Sequence, residues 1–251
     1  MTEADASAIW LRPDWPASTP VRAWCTTRVG GVSVGPYASL NLGSHVGDDP
    51  AAVAENRQRL CANGGLPAAP VWLNQVHGIK VARIDAHTAS GVDADASMTR
   101  VPGAVCAVLT ADCLPVLFCD RAGTRVAAAH AGWRGLAAGV LEAAVTALAT
   151  PPENLLVWLG PAIGPDAFEV GEEVRAAFVA HDAAAATAFS ASPDGRWLAD
   201  LYALARLRLA AVGVDAVHGG GWCTYTDAAR FYSYRRDGVT GRMASLVWLE
   251  G

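Results

Sequence analysis

The pattern of apolar and polar residues is most regular between Thr110 and Val140, where it predicts a strand, a turn, a second strand and a helix. Val116–Cys119 is a short apolar run, and Val126–Ala129 is another. The residues between the two runs include Asp and Gly, which are typical of turns. A helical pattern begins at about Gly135. Short apolar runs bounded by turns are typical of buried strands, so this stretch predicts the centre of a sheet.

Capping residues, prolines and glycines predict where elements begin and end along the rest of the chain. Asp49-Pro50 predicts a helix start, because Asp caps a helix and Pro fits its first turn. That helix is expected to end at Asn63-Gly64. Further helices are predicted at 136–149, 171–180 and 200–213. Strands are predicted at 21–27, 70–73, 80–84, 104–109, 155–159, 216–218, 231–234 and 243–249.

The order of these elements predicts the fold class. Strands often follow strands directly, which favours mixed sheets over a doubly wound parallel sheet. No repeat or linker is visible, and residues 1–20 are Pro-rich and expected to be irregular. We therefore predict an α+β fold, a layered α/β sandwich in which helices flank mixed sheets. Residues 21–251 would form a single catalytic domain.

Composition excludes several classes of protein. With 52% hydrophobic and 17% charged residues, the composition argues against disorder and suits a globular enzyme. A net charge of −5 gives no overall attraction to nucleic acid, so arginines in motifs are better interpreted as local anion ligands. No apolar stretch reaches the ~20 residues of a membrane span. The six cysteines form no CxxC pair, which favours a reducing cytoplasm.

Three side chains stand out as candidates for chemistry. Cys113 lies just before Pro115, where one predicted strand is interrupted, and His130 ends the next strand. Gly132 follows His130 and allows close backbone approach. His77 lies in the polar stretch NQVHG, directly after an apolar run. A buried thiol and hydrogen-bonded histidines would explain the same residues without any chemistry, and the residues alone leave this open.

Several motifs in a fixed order resemble one family. The stretches NQVHG, ADCLPVLF and HAGWRG resemble the laccase-domain family, formerly called multicopper polyphenol oxidases. SLNLGSHVGDD, GPAIGPDAFEVG and FYSYRRDGVTGRMASLVWL also match, so the resemblance covers nearly the whole chain. The family includes purine nucleoside phosphorylases and bacterial peptidoglycan-editing factors. The resemblance also implies a fold like that of the cytotoxic-necrotizing-factor-like cysteine hydrolases.

The resemblance implies that His77, Cys113 and His130 are metal ligands. Two imidazoles and a thiolate suit Zn²⁺ and leave the fourth tetrahedral position for water or substrate, as in a catalytic site. Cu²⁺ is the alternative. The chain has six histidines and no HxH pair, and none of its three methionines adjoins a ligand, which favours zinc over copper.

The candidate substrate contacts are three arginines and two amides: Arg57, Arg134, Arg235, Asn41 and Gln75. Arginine binds phosphate through two parallel hydrogen bonds. Arg134 is the preferred phosphate ligand, because it follows His130 and opens a predicted helix. Asn41 and Gln75 are expected to bind a base or ribose.

Further residues have possible supporting roles. Phe231, Tyr232 and Tyr234 could stack on a purine. Asp93 and Glu169 are candidate acid–base groups or hydrogen-bond partners of the histidines.

The resemblance implies a zinc-dependent purine nucleoside phosphorylase. Adenosine would be the main substrate, with inosine, guanosine and methylthioadenosine as others and adenosine deamination as a side activity. The expected partners are a nucleoside and phosphate, not nucleic acid or membrane, and the chain would be a monomer or homodimer. Three alternatives remain open: a copper-dependent polyphenol oxidase, a metal-free hydrolase that uses Cys113 and His130, and a peptidoglycan-editing protein without catalysis.

Overall fold

Fourteen strands and six helices form the part of the chain that the computed structural model describes, residues 10–251. The strands are β1 Val21–Cys25, β2 Leu73–Asn74, β3 Val81–Arg83, β4 Val92–Asp93, β5 Ala96–Thr99, β6 Val105–Thr110, β7 Leu114–Asp120, β8 Val126–Ala131, β9 Leu155–Leu159, β10 Glu169–Val170, β11 Phe189–Ser192, β12 Arg196–Ala199, β13 Val217–Gly219 and β14 Met243–Leu249. The helices are α1 Pro50–Gly64, α2 Trp133–Ala138, α3 Val140–Leu148, α4 Glu172–Val179, α5 Leu201–Ala211 and α6 Tyr234–Asp237.

The strands form two main sheets and two small ones. The largest sheet has the order β13-β9-β7-β8-β5-β3, and the second has the order β1-β14-β6. Strand β13 is parallel to β9 and β3 is parallel to β5, whereas the other pairs of the large sheet are antiparallel. The two small sheets are β10-β12-β11 and β2-β4. The predicted mixed sheets are therefore confirmed.

Successive side chains of the strands point to opposite faces of each sheet, and the sheets and helices pack as four layers. In β7, Val116 and Phe118 face the core beneath α3 and α5, whereas Leu117 and Cys119 face the second sheet. The outer face of the second sheet packs against Leu60 of α1. Because β7 to β9 are buried on both faces, they are continuous apolar runs. The order helix, sheet, sheet, helix agrees with the predicted layered sandwich.

Most predicted elements occur near their expected positions. Helix α1 begins after Asp49, whose side chain accepts a hydrogen bond from the Ala51 N–H, and ends at Gly65 in the left-handed conformation. Strand β9 has the predicted bounds. No helix among the described residues is both long and apolar enough to cross a membrane. The predicted irregular segment, residues 1–20, lies partly outside the described residues; within 10–20, only Leu11 joins a strand, through a bridge to Cys25.

Two sequence predictions differ in kind from the structure. The single helix predicted at 136–149 is two helices, α2 and α3, because Gly139 between them has φ 105°. The strand predicted at 231–234 is absent, and a short helix begins there after Ser233, whose side chain accepts a hydrogen bond from the Arg236 N–H. Both differences have local causes, a glycine and a capping serine, that the apolar pattern does not reveal. His130, predicted to end its strand, is the last residue but one of β8.

Candidate metal centre and adjoining cavities

Two imidazoles and one thiol form a cluster at one end of the large sheet. The potential ligand atoms of His77, Cys113 and His130 all lie within 4.8 Å of one another. Cys113 Sγ lies 3.9 Å from His77 Nε2. The two imidazole rings meet edge to face, with centroids 4.8 Å apart. Among residues 10–251, this is the only group of three or more His, Cys, Asp or Glu side chains spaced to hold a metal ion.

Strand register brings Cys113 and His130 together. Strands β7 and β8 are antiparallel neighbours, with Leu114 opposite Ala131 and Pro115 opposite His130. Cys113 immediately precedes β7 and therefore lies beside the end of β8. His130 is buried with 3% of its surface exposed, whereas Cys113 is only partly buried. The thiol can thus reach solvent while the imidazole is held within the sheet.

His77 comes from a separate loop that three hydrogen bonds hold in place. The backbone N–H groups of Val76, His77 and Gly78 donate to the carboxylate of Asp95 at 3.2, 2.9 and 2.6 Å. His77 has φ 60°, in the left-handed region that few non-glycine residues adopt. Such conformations persist where surrounding contacts impose them, often at functional sites. The carboxylate therefore determines where the His77 side chain begins.

The same carboxylate orients His130. Asp95 directly precedes β5, whose pairing with β8 sets Ala96 opposite Ala129. His130 Nδ1 lies 2.9 Å from Asp95 Oδ1, and the His130 N–H donates to the Asp95 carbonyl oxygen at 2.7 Å. When neutral His130 donates its Nδ1–H to Asp95, its Nε2 lone pair is free to bind a metal. Carboxylates commonly orient metal-binding histidines in this way.

The cluster occupies space that is open because residue 132 is a glycine. A Cβ atom at this position would lie 2.8 Å from His77 Cδ2 and 3.1 Å from Cys113 Sγ. Its φ of −63° is open to any residue, so close approach rather than backbone conformation requires glycine here.

The charges within the cluster favour a thiolate at Cys113 and protonation of His130, whose Nε2 must lose its proton when it binds a metal ion. Burial of the Cys113 thiol opposes ionisation, but the neighbouring His130 and the hydrogen bonds to both histidines lower the pKa of Cys113 to about 6. Burial also opposes protonation of His130, but Cys113 and Asp95 raise its pKa to about 9. For Asp95, burial is outweighed by hydrogen bonds from His130, Gly78 and His77, which lower its pKa. A thiolate is the form of cysteine that binds metals.

The cluster fits a tetrahedral metal ion. Zinc binds thiolate and imidazole at bond lengths of roughly 2.0–2.3 Å, so two ligand atoms of a tetrahedral site are about 3.3–3.8 Å apart. The atoms of this cluster lie within 4.8 Å of one another, so each side chain needs to move by only about an ångström to complete the geometry. Three protein ligands leave one position open.

Two cavities meet at the cluster. A cavity of about 150 Å³, which we call the apolar cavity, shares Ala111, Cys113 and Tyr234 with its neighbour. Its other lining residues are Asp112, Trp133, Ile163, Phe168, Leu201 and Arg235.

The second cavity, which we call the polar cavity, has a volume of about 350 Å³. His77, Cys113 and His130 all line it. Its remaining lining residues are His45, Gln75, Leu109, Thr110, Ala111, Tyr234 and Arg242. The potential metal ligands therefore face the larger and more polar space.

Two of the five predicted substrate contacts line these cavities. Arg235 lines the apolar cavity, where its backbone N–H donates to Asp112 at 2.7 Å and its guanidinium lies 5.4 Å from the centre of the Phe168 ring. Gln75 lines the polar cavity, but both polar atoms of its amide are bonded to the backbone of Leu109. Gln75 therefore also ties its loop to β6.

The other three predicted contacts line neither cavity. Asn41 is fully buried and hydrogen-bonds to Gly43, to Asp48 and to the Arg242 N–H. Arg57 donates twice to the Leu42 carbonyl oxygen. These contacts favour a structural role for both residues.

Arg134 is exposed at the start of α2. Its guanidinium lies 4.5 Å from the centre of the Trp133 ring. It does not line the polar cavity, although it follows His130 closely in sequence.

The predicted partners of the histidines were wrong. Asp93 accepts a hydrogen bond from Asn74 at 2.6 Å, and Glu169 accepts from Ser192 and Arg196. Asp95 is the partner instead. Sequence reasoning also missed two basic residues of the polar cavity, His45 and Arg242. Both lie within stretches that carried the motif resemblance, LGSHVGDD and GVTGRMAS, which was the available signal.

Curated relatives match almost the whole chain. A protein named purine nucleoside phosphorylase PA4543, from Pseudomonas aeruginosa, is 64% identical over 243 residues, covering 96% of this chain and 98% of the relative. Purine nucleoside phosphorylase YfiH from Escherichia coli is 61% identical over 237 residues, covering 94% of this chain and 97% of the relative.

Solved structures share the fold. The crystal structure of Neisseria meningitidis protein NMB0706 superposes with a TM-score of 0.93 at 55% identity, covering 96% of this chain and 99% of that chain. YlmD from Geobacillus stearothermophilus superposes with a TM-score of 0.89 at 32% identity, covering 98% and 97%. A family model described as multi-copper polyphenol oxidoreductase laccase matches residues 22–250. The chain therefore belongs to the multi-copper polyphenol oxidoreductase laccase family.

Proposed function

We propose that this protein is a zinc-dependent purine nucleoside phosphorylase that acts on adenosine and related nucleosides. The observation that carries the proposal is a His-Cys-His cluster at the junction of an apolar and a polar cavity. The names of the Pseudomonas and Escherichia relatives support the same activity. The expected substrates are inosine, guanosine and methylthioadenosine besides adenosine.

The two cavities suit the two ends of a nucleoside. A purine is flat and aromatic, so it fits the apolar cavity, where Trp133, Phe168 and Tyr234 offer stacking surfaces. Ribose would then lie near Cys113 and Tyr234, which belong to both cavities. This orientation directs the far side of the ribose ring, and the attacking phosphate, into the polar cavity.

Phosphorolysis exchanges one bond at C1′ for another. An oxygen of hydrogenphosphate forms a bond to ribose C1′, the C1′–N9 bond breaks, and its electron pair leaves with the purine. The proton of hydrogenphosphate moves to the departing base, so the products are ribose 1-phosphate and the neutral purine. The chain must therefore hold phosphate and C1′ in contact, and that positioning is a large part of catalysis.

Cluster residues would hold and order the groups that take part. Asp95 fixes His130 and the His77 loop, and Cys113 is available as a thiolate. Zinc bound by the three residues would supply Lewis acidity that polarises a nearby oxygen. The aromatic walls would hold the base in the apolar cavity, so that C1′ faces the phosphate in the polar cavity.

Adenosine deamination as a side activity would use the same cluster with a different orientation of substrate. Water would replace phosphate as the nucleophile, and purine C6 rather than ribose C1′ would lie beside the cluster. Water adds to C6, and the exocyclic amine leaves as ammonia. Apolar walls restrict the orientation of a purine less than hydrogen-bond donors would. The same cavity can therefore accept the purine in a second orientation.

One observation favours a second candidate function. Cys113, His130 and Asp95 are arranged as thiol, imidazole and carboxylate, the order required for a metal-free cysteine hydrolase. Metal analysis separates the candidates. Protein purified without added metal should contain about one zinc per chain under the main proposal. Protein without metal and with a rapidly alkylated Cys113 would support the hydrolase, and bound copper would favour the oxidase.

A nucleoside panel tests the proposed activity. We expect metal-quantified protein to release adenine and ribose 1-phosphate from adenosine only when phosphate is present, with inosine forming more slowly. Cys113→Ala should abolish phosphorolysis and deamination alike. Products that form equally well without phosphate would contradict phosphorolysis.

A further inference from the structure

The polar cavity is lined by one arginine and three histidines in a protein that is negative overall. Arg242 and His45 line it, whereas no Asp or Glu belongs to its lining. The chain as a whole has a net charge of −5. A basic cavity in an acidic protein attracts an anion locally without attracting nucleic acid to the surface at large.

Arg242 has donors in this cavity that no protein group among residues 10–251 accepts. Its Nη1 donates to the carbonyl oxygens of Thr240 and Gly241 at 3.1 and 2.9 Å. Among residues 10–251, no group accepts a hydrogen bond from its Nε or Nη2, and no carboxylate forms an ion pair with it. By comparison, Arg196 and Arg230 each pair with a carboxylate.

The surrounding chain positions Arg242 from several sides. Its backbone N–H donates to the buried Asn41 side chain at 2.9 Å. A Cβ at Gly43 would lie 2.8 Å from Arg242 Cγ, so the glycine makes room for the arginine stem. The guanidinium lies 5.8 Å from the centre of the Tyr234 ring, at the junction of the two cavities. This support holds the free donors near the cluster.

His45 adds a second basic group on the same wall. Burial and the positive charges of Arg242 and Arg57 lower the pKa of His45. The three groups are thus close enough to influence one another. A neutral imidazole can still donate one hydrogen bond to an anion, and a bound anion would offset the repulsion among the three.

We propose that Arg242 and His45 form the subsite that binds inorganic phosphate in the polar cavity. This inference rests on the proposed phosphorylase function and names the residues that would hold its second substrate. It replaces the sequence-based choice of Arg134, which lies outside the cavity lining and stacks on Trp133. Phosphate held by Arg242 would lie between that arginine and the His-Cys-His cluster, facing ribose at the junction of the cavities.

Direct binding of phosphate tests the inference without turnover. Inorganic phosphate is titrated into wild type, Arg242→Gln, Arg242→Lys, His45→Ala, Arg134→Gln and Arg100→Gln by isothermal calorimetry. Arg100 is exposed beyond the end of β5 that is remote from Asp95, so Arg100→Gln controls for loss of one charge. Zinc content and melting temperature of each variant establish that fold and cluster are intact.

Arg242→Gln should weaken phosphate binding by about 10- to 100-fold, as expected for a lost charge-assisted contact. His45→Ala, which removes a single hydrogen-bond donor and leaves Arg242 in place, should weaken it less. Arg242→Lys should give an intermediate value because it keeps the charge and loses the planar fork. Arg134→Gln and Arg100→Gln should bind phosphate like wild type. In turnover assays, Arg242→Gln should raise KM for phosphate more than KM for adenosine.

The results separate this inference from the proposed function. Phosphate binding that depends on Arg242, in a protein that cleaves no nucleoside, would support the subsite and refute the phosphorylase. Wild type that binds no phosphate would overturn the inference. So would a folded Arg242→Gln protein with wild-type affinity, or loss of binding in Arg134→Gln alone. If Arg242→Gln does not fold, unchanged binding in His45→Ala overturns the inference and weakened binding supports it.

Discussion

Asp95 connects the two histidines of the cluster. Its carboxylate accepts hydrogen bonds from three backbone N–H groups of the His77 loop and lies 2.9 Å from His130 Nδ1. The side chain is fully buried. A buried carboxylate with this many partners stabilises its surroundings and costs much to disturb. Its role is therefore to hold two potential ligands that come from distant parts of the chain.

Asp95→Asn should weaken zinc binding by about 10- to 100-fold, the usual effect of losing the carboxylate behind a metal-binding histidine. The amide cannot accept hydrogen bonds through both of its polar atoms, so the His77 loop should also loosen. Competition with a chromogenic chelator measures the affinity. Asp93→Asn is the matched control, because Asp93 is exposed and bonds only to Asn74 among the described residues. Equal zinc affinity in wild type and Asp95→Asn would show that the carboxylate does not orient a ligand.

Sequence reasoning named Asp93 and missed Asp95. The two residues are separated by one position in VDADAS, so the alternation of a strand gives them the same face. Only the pairing of β5 with β8 distinguishes them, since it sets Asp95 next to His130. His77, Cys113 and His130 were identified through motif resemblance, because their convergence depends on tertiary pairing. The local pattern around Arg242 does not indicate that its side chain lines a cavity.

At the scale of elements, the β8–α2 connection controls the space in the cluster. Strand β8 ends at Ala131 and α2 begins at Trp133, which leaves Gly132 as the only residue between them. The short connection holds His130 and the helix start close together. Any side chain at this position would enter the cluster.

Gly132→Ala should therefore reduce zinc occupancy and turnover sharply, because its Cβ would lie 2.8 Å from His77 Cδ2. Gly78→Ala is the control from the neighbouring loop, where the added Cβ would lie 3.5 Å from Asp95 Oδ2 in ordinary contact. Zinc per chain and initial rate are measured for both variants. A Gly132→Ala protein with full zinc and full activity would show that the cluster is less crowded than the structure indicates.

Some elements were predictable from sequence and others were not. The apolar runs of β7, β8 and β9 and the cap of α1 are local signals, and they gave nearly correct bounds. Strands β2, β4 and β10 have two residues each, too few for any period to be visible. The aromatic run at Phe231 looks like a strand because it is buried, but it packs as a loop.

At the scale of the molecule, a metal ion would join three distant segments of the chain. His77 lies in a loop, Cys113 precedes β7 and His130 lies in β8. An ion that binds the native state and not the unfolded chain stabilises the native state by mass action. The proposed zinc would therefore contribute to stability as well as to activity.

Removal of zinc with a chelator should lower the melting temperature by about 5–10 °C, the shift expected when an ion at a hundredfold excess over its Kd is lost. Readdition of zinc should restore the original value. Cys113→Ala, which lacks one ligand, should melt near the chelated protein and show little response to either treatment. Differential scanning calorimetry measures the melting temperature of the zinc-bound, chelated and zinc-restored wild type and of Cys113→Ala. Identical melting with and without bound zinc would contradict a site that joins the three segments.

Isotopic labelling shows whether phosphate attacks the nucleoside at the cluster and its two cavities. Adenosine is incubated with the metal-quantified protein and phosphate labelled with ¹⁸O at every oxygen, and the sugar product is analysed by mass spectrometry. We predict ribose 1-phosphate that retains every label, including the oxygen bonded to C1′, together with adenine in equal amount. Cys113→Ala should yield neither product. Free ribose, unlabelled at C1′ and formed without phosphate, would contradict the account.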